Sequence, residues 1–286
     1  MSLIGWLGDA WSRSRVVRVV EGGEDAGPLP GRMVLAELRG SSIATLRSLT
    51  TNGRFTGDVC RCPGGPTILL HDDLGEVVAG ASIHGFGHVS WNRPRFHNDL
   101  IVADPAGLDL LLAAHGVPDQ VPLFLGPLTD LLGLHEGHPQ FRPAGPAGRR
   151  DLAERGVPET LHPVLLSHTG QQSAETSVQQ LDDLNSRLMT VTPSPVDRAV
   201  ILLSWLGRLP VPAEAYWGEG ALVRRLLAGI TRADIATAAG NTRTGHTAMG
   251  VMNLLLHTRD DHTLVTAISP TLRLLFAPNP TTADAG

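Results

Sequence analysis

The chain holds two cysteines and two nearby histidines whose types and spacing suit metal chemistry. They occur as Cys60-x-Cys62 and His84-x-x-x-His88. Two thiolates and two imidazoles match the tetrahedral ligand set that zinc prefers. We expect the cysteines to share one face of a strand, because side chains alternate along a strand, and the histidines to face each other across a tight turn. These four residues are therefore the candidate ligands of a zinc ion.

Other interpretations of the same residues stay open. In a flat sheet Cys62 and His84 would lie two strands apart, roughly 9.6 Å, which is too far for one metal ion. The cysteines would then be small buried apolar residues beside ordinary hydrogen-bonded histidines, or reactive thiols. We expect no disulfide between Cys60 and Cys62, because Cβ atoms two residues apart on a strand exceed the mean separation of about 3.8 Å in a disulfide. Two free thiols favour a reducing cytoplasm.

The candidate ligands lie in a segment whose pattern predicts an antiparallel meander. Short apolar or β-branched runs alternate there with turns rich in Gly, Pro and Asp. Successive strands of a meander reverse direction, so the four candidate ligands come towards one end of the sheet. Asp104 and Pro105 then predict the start of a helix, as its N-cap and first helical residue. The expected strands are residues 58–62, 67–71, 76–84, 88–92 and 100–102.

The same segment carries a recognisable set of residues. They are Cys60-x-Cys62-x-Gly64, Thr67–Leu70, Asp73-x-Gly75, Ile83-His84-x-x-Gly87 and Trp91. With this set, residues 57–116 resemble a small domain found in many uncharacterised proteins of GC-rich bacteria. The resemblance implies a compact domain and brings no activity with it. The composition favours a similar source, since all 23 basic residues are arginine, and we expect an actinobacterial genome.

The N-terminal residues predict a short amphipathic helix. Apolar residues recur at helical spacing from Leu3 to Trp11, just before a basic stretch that begins at Arg13. Such a helix usually covers the core of its own domain. The alternatives are a partner protein or a lipid surface, because Trp6 and Trp11 beside arginines are typical of interfaces. The helix is therefore a candidate interface as well as a candidate core element.

The second half of the chain has the pattern of short helices in series. Ser194 and Thr231 have the residue type and spacing of helix N-caps, and helical spacing of apolar residues continues to about residue 276. Such a series predicts either a compact all-α bundle or irregular HEAT-like helix pairs. The predicted fold class is α+β, a small antiparallel β-meander with flanking helices followed by this helical part.

A stretch rich in breakers separates the two parts. Six glycines and prolines occur within residues 137–148, a density typical of a domain linker. We therefore expect an α+β domain at residues 1–136, a linker at 137–150 and a helical domain at 151–276. The final residues, 277–286, have the composition of a disordered tail.

Composition excludes several classes of function. The formal net charge is −5, which argues against nucleic-acid binding, because that needs a basic footprint. The absence of lysine removes Schiff-base and phosphate-loop mechanisms. No apolar run approaches the roughly 20 residues of a membrane span. The segment from His257 to His262 gathers further possible ligands, but Asp261 suits the N-cap of a following helix better.

These observations favour one function and leave one alternative. The first is a cytoplasmic, non-enzymatic accessory protein that binds another protein through its short amphipathic helices. The alternative is a metal-dependent or cysteine-based enzyme centred on Cys60, Cys62, His84 and His88. The expected cofactor is accordingly none under the first hypothesis and zinc under the second. Metal content distinguishes the two.

Overall fold

The fold is that of a computed structural model, which describes residues 2–23, 26–134, 146–167, 176–211, 218–258 and 261–277. Contacts divide the chain into two compact units, one built from Met1–Leu123 together with the residues from Phe276 onwards, and the other from Phe124–Leu275. The first unit contains an antiparallel sheet with helices, and the second is helical. The predicted α+β class with a helical C-terminal part is therefore confirmed.

The first unit is organised by a seven-stranded sheet. Its strands are β1 Val16–Val20, β2 Val34–Leu38, β3 Gly53–Phe55, β4 Thr67–His71, β5 Val77–His84, β6 His88–Trp91 and β7 Asp99–Val102. Their order across the sheet is β2-β1-β4-β5-β6-β7-β3, and every neighbouring pair is antiparallel. Residues 56–66 therefore connect the edge strand β3 to β4, four strand positions away.

The predicted meander is confirmed from its second strand onwards and wrong at its first. β4 to β7 coincide with the predicted strands to within a residue. Residues 58–62 form an irregular loop, and the position beside β4 is taken by β1. β1 consists of four valines around one exposed arginine, Arg18. Arg18 pairs with Glu37 of the neighbouring strand β2 at 3.1 Å. Such a run packs better on a sheet than a segment flanked by Gly and Pro.

Helices accompany the sheet in the first unit. They are α1 Leu3–Arg13, α2 Ser41–Thr51, α3 Arg93–Phe96 and α4 Pro105–Ala114. The predicted N-terminal helix is confirmed as α1, which buries Leu7, Ala10 and Trp11 and packs on β4 and β5. The Trp11 ring meets Trp91 of β6 edge-on, with centroids 5.7 Å apart. α1 thus covers the core of its own unit.

The second unit is a bundle rather than a series of stacked pairs. Within the described residues its helices are α5 Leu125–Leu132, α6 Pro146–Glu154, α7 His162–Ser167, α8 Val178–Val191, α9 Pro195–Leu206, α10 Gly218–Leu227, α11 Arg232–Asn241, α12 Gly245–Leu255 and α13 His262–Leu275. α9 contacts α10, α11 and α12, whereas a solenoid repeat contacts only its neighbours. A Cβ at Gly250 would lie 2.1 Å from the Leu203 carbonyl oxygen, so the backbones of α12 and α9 are in direct contact.

The limits of the units differ from the predicted domain limits. The division falls between Leu123 and Phe124 instead of near residue 136, because α5 packs on α12. Most of the predicted linker, residues 137–145, lies outside the described residues, and from Pro146 the chain is helical as α6. The predicted tail also lies outside them from residue 278 onwards.

Local helix signals in the sequence are confirmed. Asp104, Ser194 and Thr231 each accept a hydrogen bond from the backbone N–H three residues later, at 2.8, 3.3 and 3.2 Å. These bonds satisfy donors that a helix start leaves without partners. In the described ranges, no helix has both the length and the apolar character that crossing a membrane requires.

One carboxyl group is buried in the first unit without a compensating partner. Asp109 on α4 is fully buried, and neither of its side-chain oxygens has a hydrogen-bond partner. Burial raises the pKa of Asp109 to about 8, because an apolar environment disfavours the charged form. The folded chain therefore keeps a proton on Asp109 over a pH range in which the unfolded chain has released it.

Replacing Asp109 by asparagine is expected to stabilise the protein above about pH 4, and increasingly so as the pH rises towards about 8. The pKa of Asp109 is higher in the folded chain than in the unfolded chain. The free energy of unfolding of the wild type is therefore highest at low pH, where Asp109 is protonated in both states. It falls between about pH 4 and pH 8, by at most about 1.4 kcal/mol per pH unit. Urea unfolding of both proteins near pH 5 and near pH 7.5 measures the difference. A difference that does not change with pH would contradict the assignment.

Candidate metal centre

The two cysteines lie in an irregular connection, residues 56–66, which we call the ligand loop. It starts beside β7, where Thr56 N–H donates to the carbonyl oxygen of Asp99 at 2.9 Å and Gly57 N–H donates to the side-chain oxygen of Asn98 at 2.8 Å. It ends at β5, where Gly65 N–H donates to the carbonyl oxygen of Ile83 at 2.6 Å. The loop therefore crosses from β7 to β5.

A buried carboxylate holds the first cysteine. The backbone N–H of Cys60 donates to Asp99 Oδ2 at 2.7 Å. The other carboxylate oxygen of Asp99 accepts a hydrogen bond from the hydroxyl of Ser90, which is opposite it on β6. Both side chains are at most 2% exposed, so the loop is tied to a buried part of the sheet. Hydrogen bonds to a carboxylate are stronger than those between neutral groups.

Arg93 binds the backbone carbonyl oxygens of both cysteines. Arg93, the first residue of α3, donates through Nη1 to the carbonyl oxygen of Cys62 at 3.1 Å and through Nη2 to that of Cys60. The planar guanidinium presents its donors in a fixed geometry. Arg93 therefore sets the spacing of the two peptide carbonyls and with it the turn at Arg61.

The sulfur atoms are close together and accept backbone hydrogen bonds. Cys60 Sγ and Cys62 Sγ are 2.6 Å apart, and the N–H of Cys62 donates to Cys60 Sγ at 3.3 Å. The hydrogen bond with the Cys60 thiol raises the pKa of Cys62, and burial raises it further, whereas the Gly64 N–H lowers it. The net shift is upwards, so the protonated thiol is favoured at Cys62 while no cation is nearby.

His84 completes the group from the end of β5. Its ring is buried, and Nδ1 lies 3.0 Å from Cys62 Sγ. Gly64 of the ligand loop lies against this ring, since a Cβ there would be 3.0 Å from His84 Cε1. Gly64 also has a φ of +79°, a conformation that favours glycine. The loop can approach His84 this closely because position 64 carries no side chain.

Three of the four predicted ligands therefore come together. The ligand atoms of Cys60, Cys62 and His84 all lie within 4.8 Å of one another, and the group could hold a metal ion. The separation of roughly 9.6 Å expected between Cys62 and His84 in a flat sheet does not occur. The cysteines lie on a loop that reaches β5 and not on a strand of the sheet. His88 pairs with His84 in register but is not part of this group.

The group is contracted relative to a metal-bound one. Zn–S bonds of about 2.3 Å in tetrahedral geometry hold two sulfur atoms about 3.8 Å apart. The observed separation of 2.6 Å is shorter, so binding requires rotations of the cysteine side chains that separate the sulfurs by about 1 Å. Both cysteines are only half-buried, which leaves room for that rotation.

Within the second group of possible ligands, Asp261 has a structural role, and residues 259–260 of that group lie outside the described residues. Asp261 accepts a hydrogen bond from Leu264 N–H at 3.0 Å, as the cap of α13, and pairs with Arg232. Burial acts to raise the pKa of Asp261, but the Leu264 hydrogen bond and Arg232 outweigh it and lower the pKa. The predicted capping role is therefore confirmed.

Sequence reasoning missed the residues that hold the ligand loop. Asp99 and Arg93 follow the candidate histidines in the chain, but nothing in their local pattern connects them to Cys60 and Cys62. Gly64 carried a usable signal, because a glycine two residues after the second cysteine is expected where the backbone turns or approaches another group closely.

No protein-family model, curated protein or solved structure matches the chain. The resemblance of residues 57–116 to a domain of GC-rich bacteria therefore stays a prediction, as does the actinobacterial source.

The contact between Gly64 and His84 can be tested with a matched pair of variants. Gly64→Ala and Gly57→Ala both place a side chain at a positive φ, +79° and +80°, which costs about 1 to 2 kcal/mol in each case. A Cβ at Gly57 meets nothing within 4 Å. Gly64→Ala also pushes on the His84 ring and should cost about 1 kcal/mol more, with a shift of the His84 imidazole resonances. Equal unfolding free energies and unchanged resonances would show that the contact is absent.

Proposed function

We propose that the first unit binds one zinc ion through Cys60 Sγ, Cys62 Sγ and His84 Nδ1. The observation that carries the proposal is the clustering of these three ligand atoms within 4.8 Å. Three protein ligands leave a fourth tetrahedral position for water or for a donor from another molecule, which is the arrangement of zinc sites with an open position.

The donor set supports zinc over other common ions. Calcium and magnesium prefer oxygen ligands, and none of the three ligand atoms is an oxygen. Two sulfurs and one imidazole nitrogen suit tetrahedral zinc. A metal ion would have to displace the thiol protons, and the backbone hydrogen bonds that the sulfurs of Cys60 and Cys62 accept would then stabilise the thiolates. His84 then occupies the third position from the regular structure of β5.

The bound ion would also stabilise the fold locally. The ligand loop has no regular secondary structure, whereas β5 is part of the sheet. An ion held by Cys60 and Cys62 on the loop and by His84 on β5 joins the two, so its binding free energy contributes to folding. We propose this stabilising role together with the open position.

The broader predictions from the sequence remain proposals beside this one. A protein partner, through the helical unit or the exposed side of α1, where Ile4 is 71% exposed, would place the chain among accessory proteins. A reducing cytoplasm is the compartment that keeps Cys60 and Cys62 available as thiolate ligands. The open zinc position is the feature that an enzymatic role would use.

Metal analysis of protein purified without an affinity tag or added metal tests the zinc proposal. We expect about one zinc per chain in the wild type. Cys62→Ser and His84→Ala each remove one of three ligands, so affinity should fall by about 100-fold or more. Cobalt substitution adds a spectroscopic readout, since each thiolate ligand contributes to a charge-transfer absorption band. The band of the cobalt-loaded protein should fall to about half in Cys62→Ser, where one of the two thiolates is left.

His88→Ala is the matched control, because it removes a histidine that pairs with His84 but is not in the group. It should keep the zinc content and the cobalt spectrum of the wild type, with circular dichroism confirming the fold of every variant. Loss of zinc in His88→Ala would show that His88 is also a ligand, as the sequence predicted, and would contradict the three-ligand site. Wild-type protein that takes up no zinc, even when zinc is added, would reject the site altogether.

A further inference from the structure

The cysteine pair has a second possible chemistry because it does not lie on a strand. On a strand the side chains of Cys60 and Cys62 would be too far apart to bond. On the ligand loop their sulfur atoms are 2.6 Å apart, within about 0.6 Å of the 2.05 Å bond of a disulfide. The two cysteines are not bridged in the structure. The sequence-based argument against a bridge placed both residues on a strand, and that placement is wrong because they lie on a loop.

The loop backbone is held in the shape that brings the sulfurs together. Arg93 binds the carbonyl oxygens of both cysteines, and Asp99 binds the N–H of Cys60 at 2.7 Å. A bridge therefore needs only a small movement of the side chains. Both cysteines are half-buried, so a small oxidant can reach them from solvent.

The bridged and the metal-bound forms exclude each other. Zinc requires the sulfurs about 3.8 Å apart, whereas a disulfide holds them at about 2.05 Å and removes both thiolates. We propose that hydroperoxides oxidise Cys60 and Cys62 to a disulfide, and that this oxidation releases the zinc ion. The release rests on the proposed zinc site, whereas formation of the disulfide does not.

The reaction balances without any further reactant. In the zinc-bound form one thiolate sulfur attacks the O–O bond of the hydroperoxide, which breaks to leave a sulfenic acid on that cysteine and an alkoxide, or hydroxide from hydrogen peroxide. The second thiolate attacks the sulfenic sulfur, the S–S bond forms and hydroxide leaves. The sulfur pair loses two electrons and the O–O bond gains them. Zinc leaves as Zn²⁺, and its two positive charges balance the alkoxide and the hydroxide that the two steps release.

Treatment of the full-length, zinc-loaded protein with hydrogen peroxide tests the proposal. We expect the intact mass under denaturing conditions to fall by two hydrogen atoms and a colorimetric chelator to detect one zinc for each disulfide formed. Dithiothreitol should restore the mass and the ability to bind zinc. His84→Ala keeps both thiols, so it should form the same disulfide whether or not it binds zinc.

Cys60→Ser and Cys62→Ser supply the controls for the bridge. Neither can form it, so each should gain oxygen atoms on its single cysteine instead. Oxygen adducts without a bridge in the zinc-loaded wild type would overturn the inference and leave the zinc proposal standing. A reversible disulfide in wild-type protein that never binds zinc would support the bridge and reject the zinc site, so the two proposals fail separately.

Discussion

A row of buried polar side chains crosses the sheet and constrains what can cover it. Thr67, Ser82, Ser90 and Asp99 are paired in register across β4 to β7, and none is more than 2% exposed. Buried polar groups need hydrogen-bond partners. The ligand loop supplies one to Asp99, and Gly22 supplies another by accepting from the Thr67 hydroxyl at 2.7 Å. The position of the cysteines follows from this requirement.

This arrangement separates the backbone of the site from its chemistry. Asp99 and Arg93 bind peptide groups of the cysteines and make no hydrogen bond to the thiols themselves. His84 lies two residues beyond Ser82 on the same strand, and alternation places both on the same face of the sheet. A site built in this way can change the separation of its sulfur atoms without moving the loop. The geometry of the ligands is then decided by what binds or reacts with them.

Sequence patterns were sufficient where structure is decided locally. The apolar runs of β4 to β7 and the cap at Asp104 depend on neighbouring residues, and both could be predicted. Residues 58–62 could not, because their conformation is decided by Asp99, which follows Cys60 by 39 residues. The site was predicted by residue type, and Cys60, Cys62 and His84 do meet. His88 was included because hairpin pairing alone places it near His84, and pairing does not determine where a ring nitrogen lies.

The strand order has a consequence for how the unit folds. β3 and β4 are consecutive in the chain but four positions apart in the sheet, a distance of about 19 Å at the usual strand spacing. The loop between them can take its final course only after β5, β6 and β7 have paired, because its partners lie on or beside those strands. Contacts of this kind form slowly, since chain entropy is lost before they stabilise anything. We therefore expect Cys60 and Cys62 to meet His84 late in folding, so that a nascent chain exposes both thiols before the site has formed.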